Sequence, residues 1–174
     1  DSMGKAEPNI AHKTLAAWEK RGLLKGVITQ NIDNLHQRAG SVNVKEFHGT
    51  INYLICTGCG KRYHMDEVDL KAELPSCKAC GAVLKPDFIF YGEGINPRVY
   101  QESDELAYAT DVMIVVGTSG EVMPACALPL TAKRNGAKII EINTLPSSYT
   151  AGVSDFYFEQ KAGDFFKNIA KLLE

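Results

Sequence analysis

Two dicysteine turns, Cys56-Thr-Gly-Cys59 and Cys77-Lys-Ala-Cys80, sit mid-chain between flanks in which short apolar runs alternate with amphipathic ones. Each turn brings two thiolates to one side of the backbone. The seventeen residues between the pairs let the chain return and close a tetrahedron around one soft cation. That spacing falls in the window of roughly 15 to 20 residues typical of zinc sites, so Cys56, Cys59, Cys77 and Cys80 are read as ligands of one Zn2+. Two chance CxxC pairs or two disulfides are the competing readings, and nothing else in the sequence suggests export. Gly60 and Gly81 each follow a second cysteine, where backbone freedom lets amides turn towards sulfur. With four thiolates no coordination position stays open, so the metal is expected to hold structure rather than perform chemistry.

A chain of 174 residues with 45% apolar content supports one α/β core plus a small excursion. Nineteen basic and twenty-one acidic residues give a net charge of -2, so no global field favours nucleic acid or an anionic membrane, and neither is expected as a partner. The longest apolar run, Val112 to Val116, is too short to span a bilayer, and Asp1-Ser2-Met3-Gly4 has no signal pattern. The expected compartment is the cytoplasm. The fifth cysteine, Cys126, lies among Pro124, Ala125 and Ala127 and reads as a small buried core residue.

The spacing predicts a helix capped by Asn9, running to about Arg21 and stopped by Gly22, with Leu15, Ala16 and Trp18 inward. A short apolar strand, Gly26 to Thr29, follows, with Gln30, Asn31 and Asp33 at its carboxyl end. A short helix to Ala39-Gly40 leads to a strand over Val44 to Phe47, which ends at His48-Gly49. From about Tyr53 to Pro86 short strands and turns surround the cysteines, with a small helix over Asp66 to Glu73. Asp87 to Tyr91 reads as extended, and a helix covers Arg98 to Ala109. The strand Asp111 to Val116 ends in Gly117-Thr118-Ser119-Gly120; Pro124 opens a helix to Arg134, and Ala137 to Ile142 forms a strand ending at Asn143. A last amphipathic helix over Gly163 to Leu173 places Phe165, Phe166, Ile169 and Leu172 on one face.

Strands alternating with helices imply a parallel sheet, which binds ligands beyond the carboxyl ends of its strands. Gln30, Asn31 and Asp33 stand at one tip, Gly117, Thr118 and Ser119 at a second, and Asn143 at a third. Such short amides, hydroxyls and carboxylates suit ribose hydroxyls and a base edge, although the same residues also cap helices and fill turns. His48, between Phe47 and Gly49 at the mouth of the expected crevice, is the candidate general base; His12, His36 and His64 lack such a setting. A dinucleotide also needs backbone amides against its pyrophosphate, and neither Gly58-Cys59-Gly60 nor Gly92-Glu93-Gly94 has the strand-turn-helix context for that. The expectation is a Rossmann-like α/β fold with a zinc-ribbon insertion and without its first βα unit.

These residues resemble the sirtuins, NAD-dependent protein lysine deacylases. The resemblance rests on Thr29-Gln30-Asn31-Ile32-Asp33 with Leu35-His36, on Phe47-His48-Gly49, on both cysteine pairs, on Lys85-Pro86 through Tyr91-Gly92-Glu93, on Gly117-Thr118-Ser119 with Val122 and Pro124-Ala125, and on Ile142-Asn143. It implies that Gln30, Asn31, Ile32 and Asp33 line the nicotinamide and inner-ribose pocket and that His48 is the general base. Gly117, Thr118, Ser119, Asn143 and the backbone near Ala162 would hold the adenosine half of NAD. Ile89, Phe90, Tyr91, Gly92 and Glu93 would form the edge on which an acyl-lysine protein or peptide lies as an added strand.

The implied reaction breaks the bond between nicotinamide and ribose as the acyl oxygen attacks the ribose carbon. The histidine then deprotonates a ribose hydroxyl, and the acyl group is transferred, leaving free lysine, nicotinamide and O-acyl-ADP-ribose. Tyr91 stands where the family usually has phenylalanine, and the family's glycine-rich phosphate turn and arginine-bearing cofactor loop are absent upstream of Pro8. Residues 1–52 and 86–174 are expected to form the NAD-binding domain and 53–85 the zinc domain. The alternatives are a non-catalytic, zinc-stabilised module and a mono-ADP-ribosyltransferase using the same pocket.

Overall fold

A computed structural model describes residues 6–171. Helix α1 (Ile10–Lys20) begins at Asn9, whose side chain accepts from the His12 amide while the His12 ring accepts from the Asn9 amide, so two otherwise orphaned donors are satisfied. Ala11, Ala16 and Trp18 bury its inner face; Trp18 and Phe166 lie 5.8 Å apart, joining it to the last helix.

Strand β1 (Val27–Thr29) runs parallel to β2 (Val44–Glu46), with helix α2 (Leu35–Arg38) in the crossover. Next come β3 (Gly49–Cys56), β4 (Arg62–His64) and β5 (Leu84–Phe88), an antiparallel sheet in the order β4-β3-β5. The chain continues through α3 (Pro97–Ala109), β6 (Val112–Val116), α4 (Leu128–Arg134), β7 (Lys138–Asn143), β8 (Phe156–Glu159) and α5 (Ala162–Ala170). Strands β6, β7 and β8 form a parallel sheet in that order, in register from Val112 against Lys138 to Val116 against Ile142. The α/β architecture with parallel layers and an inserted cysteine-bearing sheet is the one expected.

The core divides accordingly. Phe47, Ala107, Val115, Leu128, Ala132 and Ile139 pack between the parallel strands and α3 and α4. Trp18, Ile142, Phe165 and Phe166 fill the other face of β7, and Leu54, Tyr63 and Leu84 pack with Cys56 and Cys77.

Four sequence expectations need correction. No α-helix covers Asp66 to Glu73: a single 3-10 turn, Met65–Glu67, is followed by bends. Val68 packs on the cysteine core, but residues 69–74 are exposed, the Asp69 carboxylate turns back onto the Lys71 amide, and Pro75 disfavours helix before it. The Pro124 helix starts as a 3-10 turn, Ala125–Ala127, and becomes α only at Leu128, because Pro129 has no N–H to give back along the chain. The extended run ends at Phe88 rather than Tyr91, where its partner β3 runs out at Gly49. Cys126 is half-buried, its sulfur 3.0 Å from the sulfur of the exposed Met123.

One strand, β8, was not anticipated, because its aromatic run is half exposed at the edge of the sheet. Asp1 to Gly4 and the expected inward Leu172 lie outside the described residues. Among the described residues no helix is long and apolar enough to cross a membrane.

Candidate active site and metal centre

The four cysteines converge as their spacing requires. Their sulfurs all lie within 4.8 Å of one another. Cys56 and Cys80 are 3.4 Å apart and Cys59 and Cys77 are 3.7 Å apart. A tetrahedron with Zn–S bonds of about 2.3 Å has edges of about 3.8 Å, so the donor set fits zinc. Gly60 and Gly81 take left-handed backbone, φ 71° and 77°, which lets the turns close. The amides of Gly58 and Cys59 donate to the Cys56 sulfur, each at 3.3 Å, and the Ala79 amide donates to Cys77 at 3.4 Å. Donation from the buried Tyr63 hydroxyl, 3.2 Å away, is the main cause that draws the Cys77 thiol down to about 6, and the same contact pushes the tyrosine up to about 12. Tyr63 was not foreseen; four positions from the nearest ligand, Cys59, it carries no motif.

At the parallel-strand tips, pairing of Thr29 with Glu46 sets Gln30 and His48 side by side. The Phe47 amide donates to the Thr29 carbonyl at 2.8 Å. Phe47 is only 1% exposed, and burying such a ring contributes about 2 to 3 kcal/mol, so the backbone next to His48 is firmly anchored. The His48 ring nitrogen Nδ1 lies 3.2 Å from the Gln30 carbonyl oxygen. A carbonyl can only accept, so Nδ1 carries a hydrogen, and in the neutral ring the lone pair is on Nε2.

The loop beyond β1 is shaped by its own groups. The Asn31 amide donates to Thr29 Oγ1 at 3.1 Å, and the Leu35 amide donates to Asp33 Oδ1 at 3.1 Å. The Ile51 amide donates to the Ile32 carbonyl, tying this loop to β3. Asn34 sits at φ 61°, unusual for a residue other than glycine and tolerated best by asparagine and aspartate.

The Ile89 amide donates to the His48 carbonyl at 2.9 Å, which brings the 89–93 segment to the same place. Its turn is locked by Glu93, which accepts from the Phe90 amide at 3.0 Å and pairs with Lys85 at 2.6 Å. The Lys85 contact holds the Glu93 carboxyl below the usual range. Tyr91 and Gly92 form the exposed tip.

A second group gathers around Asn143. Its Nδ2 donates to the Thr118 carbonyl at 2.9 Å, and its Oδ1 accepts from the Thr144 amide at 2.9 Å. One N–H and one lone pair of the amide are left over from these two bonds. The Gly117 amide donates to the Ile142 carbonyl, and Thr118 Oγ1 accepts from the Gly120 amide. The Ser119 side chain is exposed; Ala162 opens α5 beyond the end of β8, with α5 packed on β7. Two surface cavities, of about 160 and 700 Å³, are lined by residues of the cysteine sheet and of α1, and neither wall includes His48 or Asn143.

Comparison with known proteins points the same way. The profile described as "Sir2 family" matches residues 1–124. An "NAD-dependent protein deacylase" of Pyrococcus furiosus is 44% identical over 174 residues, covering 97% of this chain and 68% of that protein. Among solved structures, "Sir2 bound to acetylated peptide" superposes with a TM-score of 0.93 at 34% identity, over 98% of this chain and 73% of the other. "Sir2-p53 peptide-NAD+" superposes with a TM-score of 0.91 at 34% identity, over 98% and 72%.

Proposed function

The chain belongs to the Sir2 family, and on that premise we propose how its residues carry out NAD-dependent deacylation of lysine in proteins. The protein is an NAD-dependent protein deacylase, and its relatives' names do not favour the binding-module or mono-ADP-ribosyltransferase alternatives. The observation that carries the residue assignment is the contact between His48 Nδ1 and the Gln30 carbonyl, which leaves Nε2 as the acceptor at the strand tips.

Bound NAD would supply an electrophilic ribose carbon and, in nicotinamide, a leaving group. Gln30, Asn31, Ile32 and Asp33 line the half of the pocket that faces this carbon, and His48 accepts a proton from a ribose hydroxyl there. Gly117, Thr118, Ser119 and Asn143 hold the adenosine half, with Ala162 at its border. Ile89, Phe90, Tyr91, Gly92 and Glu93 orient the acyl-lysine segment; the Ile89–His48 backbone bond ties that segment to the base. Water must be kept from the cation-like ribose.

Zinc, held by Cys56, Cys59, Cys77 and Cys80, would cross-link the module to which we assign residues 53–85, the sequence 1–52 and 86–174 being assigned to the NAD-binding domain. Acyl transfer to ADP-ribose makes the enzyme a transferase in chemical terms. Four cysteines set as metal ligands rather than disulfides suit a reducing compartment, and the cytoplasm is the assignment we favour.

The test is nicotinamide release with an acetyl-lysine peptide and NAD. In a version that also carries the family's glycine-rich phosphate turn and cofactor loop, His48→Ala is expected to keep the fold and zinc and to slow turnover by at least about 100-fold. Turnover at the parental rate in that variant would remove His48 from the mechanism.

A further inference from the structure

The inner face of β7 carries a charge where the fold offers an apolar layer. Ile139 and Glu141 point to the same side of the strand and are both buried, Glu141 at 1% exposure. A carboxylate at such depth is costly unless its oxygens are bonded. Three hydroxyls from one short segment do this. Ser147 donates to Oε1 at 2.5 Å, Ser154 to Oε2 at 2.6 Å, and Thr150 lies 3.0 Å from both oxygens.

The segment folded over Glu141 in this way reaches the Gly117–Gly120 turn. The Ser148 amide donates to the Ser119 carbonyl at 3.0 Å, and the Ser148 hydroxyl donates to the Gly120 carbonyl at 2.8 Å. The Tyr149 hydroxyl donates to the Cys126 carbonyl at 3.1 Å, just beyond the turn. Gly120, at φ 73°, lies so close that a Cβ there would stand 2.7 Å from the Tyr149 ring and would collide with the Ser148 hydroxyl. Asn143, two residues along β7 from Glu141, grips the same turn at Thr118.

We propose that Glu141 is a positioning residue for the cofactor turn: through Ser147, Thr150 and Ser154 it fixes the segment whose Ser148 latches Ser119 and Gly120. This rests on the assignment of Gly117–Ser119 to the adenosine half of NAD. An apolar residue at 141 would bury as well but would leave the segment free to settle elsewhere; the carboxylate selects one arrangement because each hydroxyl has a single hydrogen to give.

The experiment is steady-state kinetics with NAD and an acetyl-lysine peptide on Glu141→Gln, Ser148→Ala and the double variant, each made in a version that also carries the phosphate turn and cofactor loop. Glutamine keeps the shape but offers one acceptor oxygen instead of two. The expected result is a rise of about fivefold in KM for NAD with kcat and peptide KM unchanged. The double variant should lose less than the product of the single losses, because both changes cut one path. Thr150→Val combined with Ser154→Ala, which removes two donors and keeps the carboxylate, should reproduce the effect if Glu141→Gln proves too unstable to assay. Thr118→Val separates the two layers of inference. If it raises KM for NAD while Glu141→Gln leaves it unchanged, the positioning role is overturned alone. If neither variant changes KM for NAD, the cofactor assignment falls and takes the positioning role with it. Parallel losses in peptide KM and kcat would mark Glu141 as a general stability residue and would also overturn the proposal.

Discussion

The Tyr63 hydroxyl lies 3.2 Å from the sulfur of Cys77, so one of the four cysteine ligands takes a side-chain hydrogen bond from the core beneath the zinc site. Cys80→Ser is expected to release the metal and unfold the surrounding sheet, since structural zinc contributes about 10 to 16 kcal/mol to the folding of small modules. Tyr63→Phe should keep stoichiometric zinc and weaken its affinity by about tenfold, as loss of a hydrogen bond to a ligand typically does. Elemental analysis and chelator competition measure both, and zinc-free native protein would overturn the assignment.

Gly120 and Gly136 share left-handed backbone, φ 73° and 93°, but only Gly120 faces packed atoms. Gly136→Ala should therefore cost backbone strain alone, about 1 kcal/mol. Gly120→Ala adds the collision with Ser148 and Tyr149, for a total of about 2 to 4 kcal/mol, or a fall of roughly 5 to 15 °C in Tm. Equal Tm values for the two variants would show that the segment around Tyr149 yields freely.

His12 and His36 face each other across α1 and α2 with ring centroids 4.7 Å apart, and His36 Nδ1 is buried without a partner. Burial lowers both from their ordinary value; for His36 the neighbouring His12 lowers it further, and Asp33 opposes the shift at both. A lowered histidine is neutral in the fold while the unfolded chain takes up the proton near pH 6.5, so stability is complete above that pH and declines as pH falls below it. Tm should accordingly drop between pH 7 and pH 5, and the His12→Asn, His36→Asn double variant should flatten that slope whatever its absolute Tm. An unchanged slope would assign the acid sensitivity to other groups.

Local chemistry made much of this molecule readable. Two CxxC turns at fixed spacing can close on one cation wherever the chain goes, and the Asn9 cap needs only its own first turn. The polar residues at the ends of β1, β6 and β7 follow from the direction of parallel strands. Tertiary structure alone decided the rest. The run from Asp66 to Glu73 has ordinary helical composition, but only Val68 of it packs on the core, so beyond the 3-10 turn it is left as turns and bends. The edge strand β8 depends on β7 for its partner. Glu141 reads in sequence as a polar interruption of Ile139-Ile140-Glu141-Ile142; that it is buried and bound by three hydroxyls depends on residues up to thirteen positions away folding back over it. A carboxylate's surroundings are set by what packs around it, and in this chain those partners arrive only when the segment that follows β7 folds back, beyond the reach of spacing or propensity.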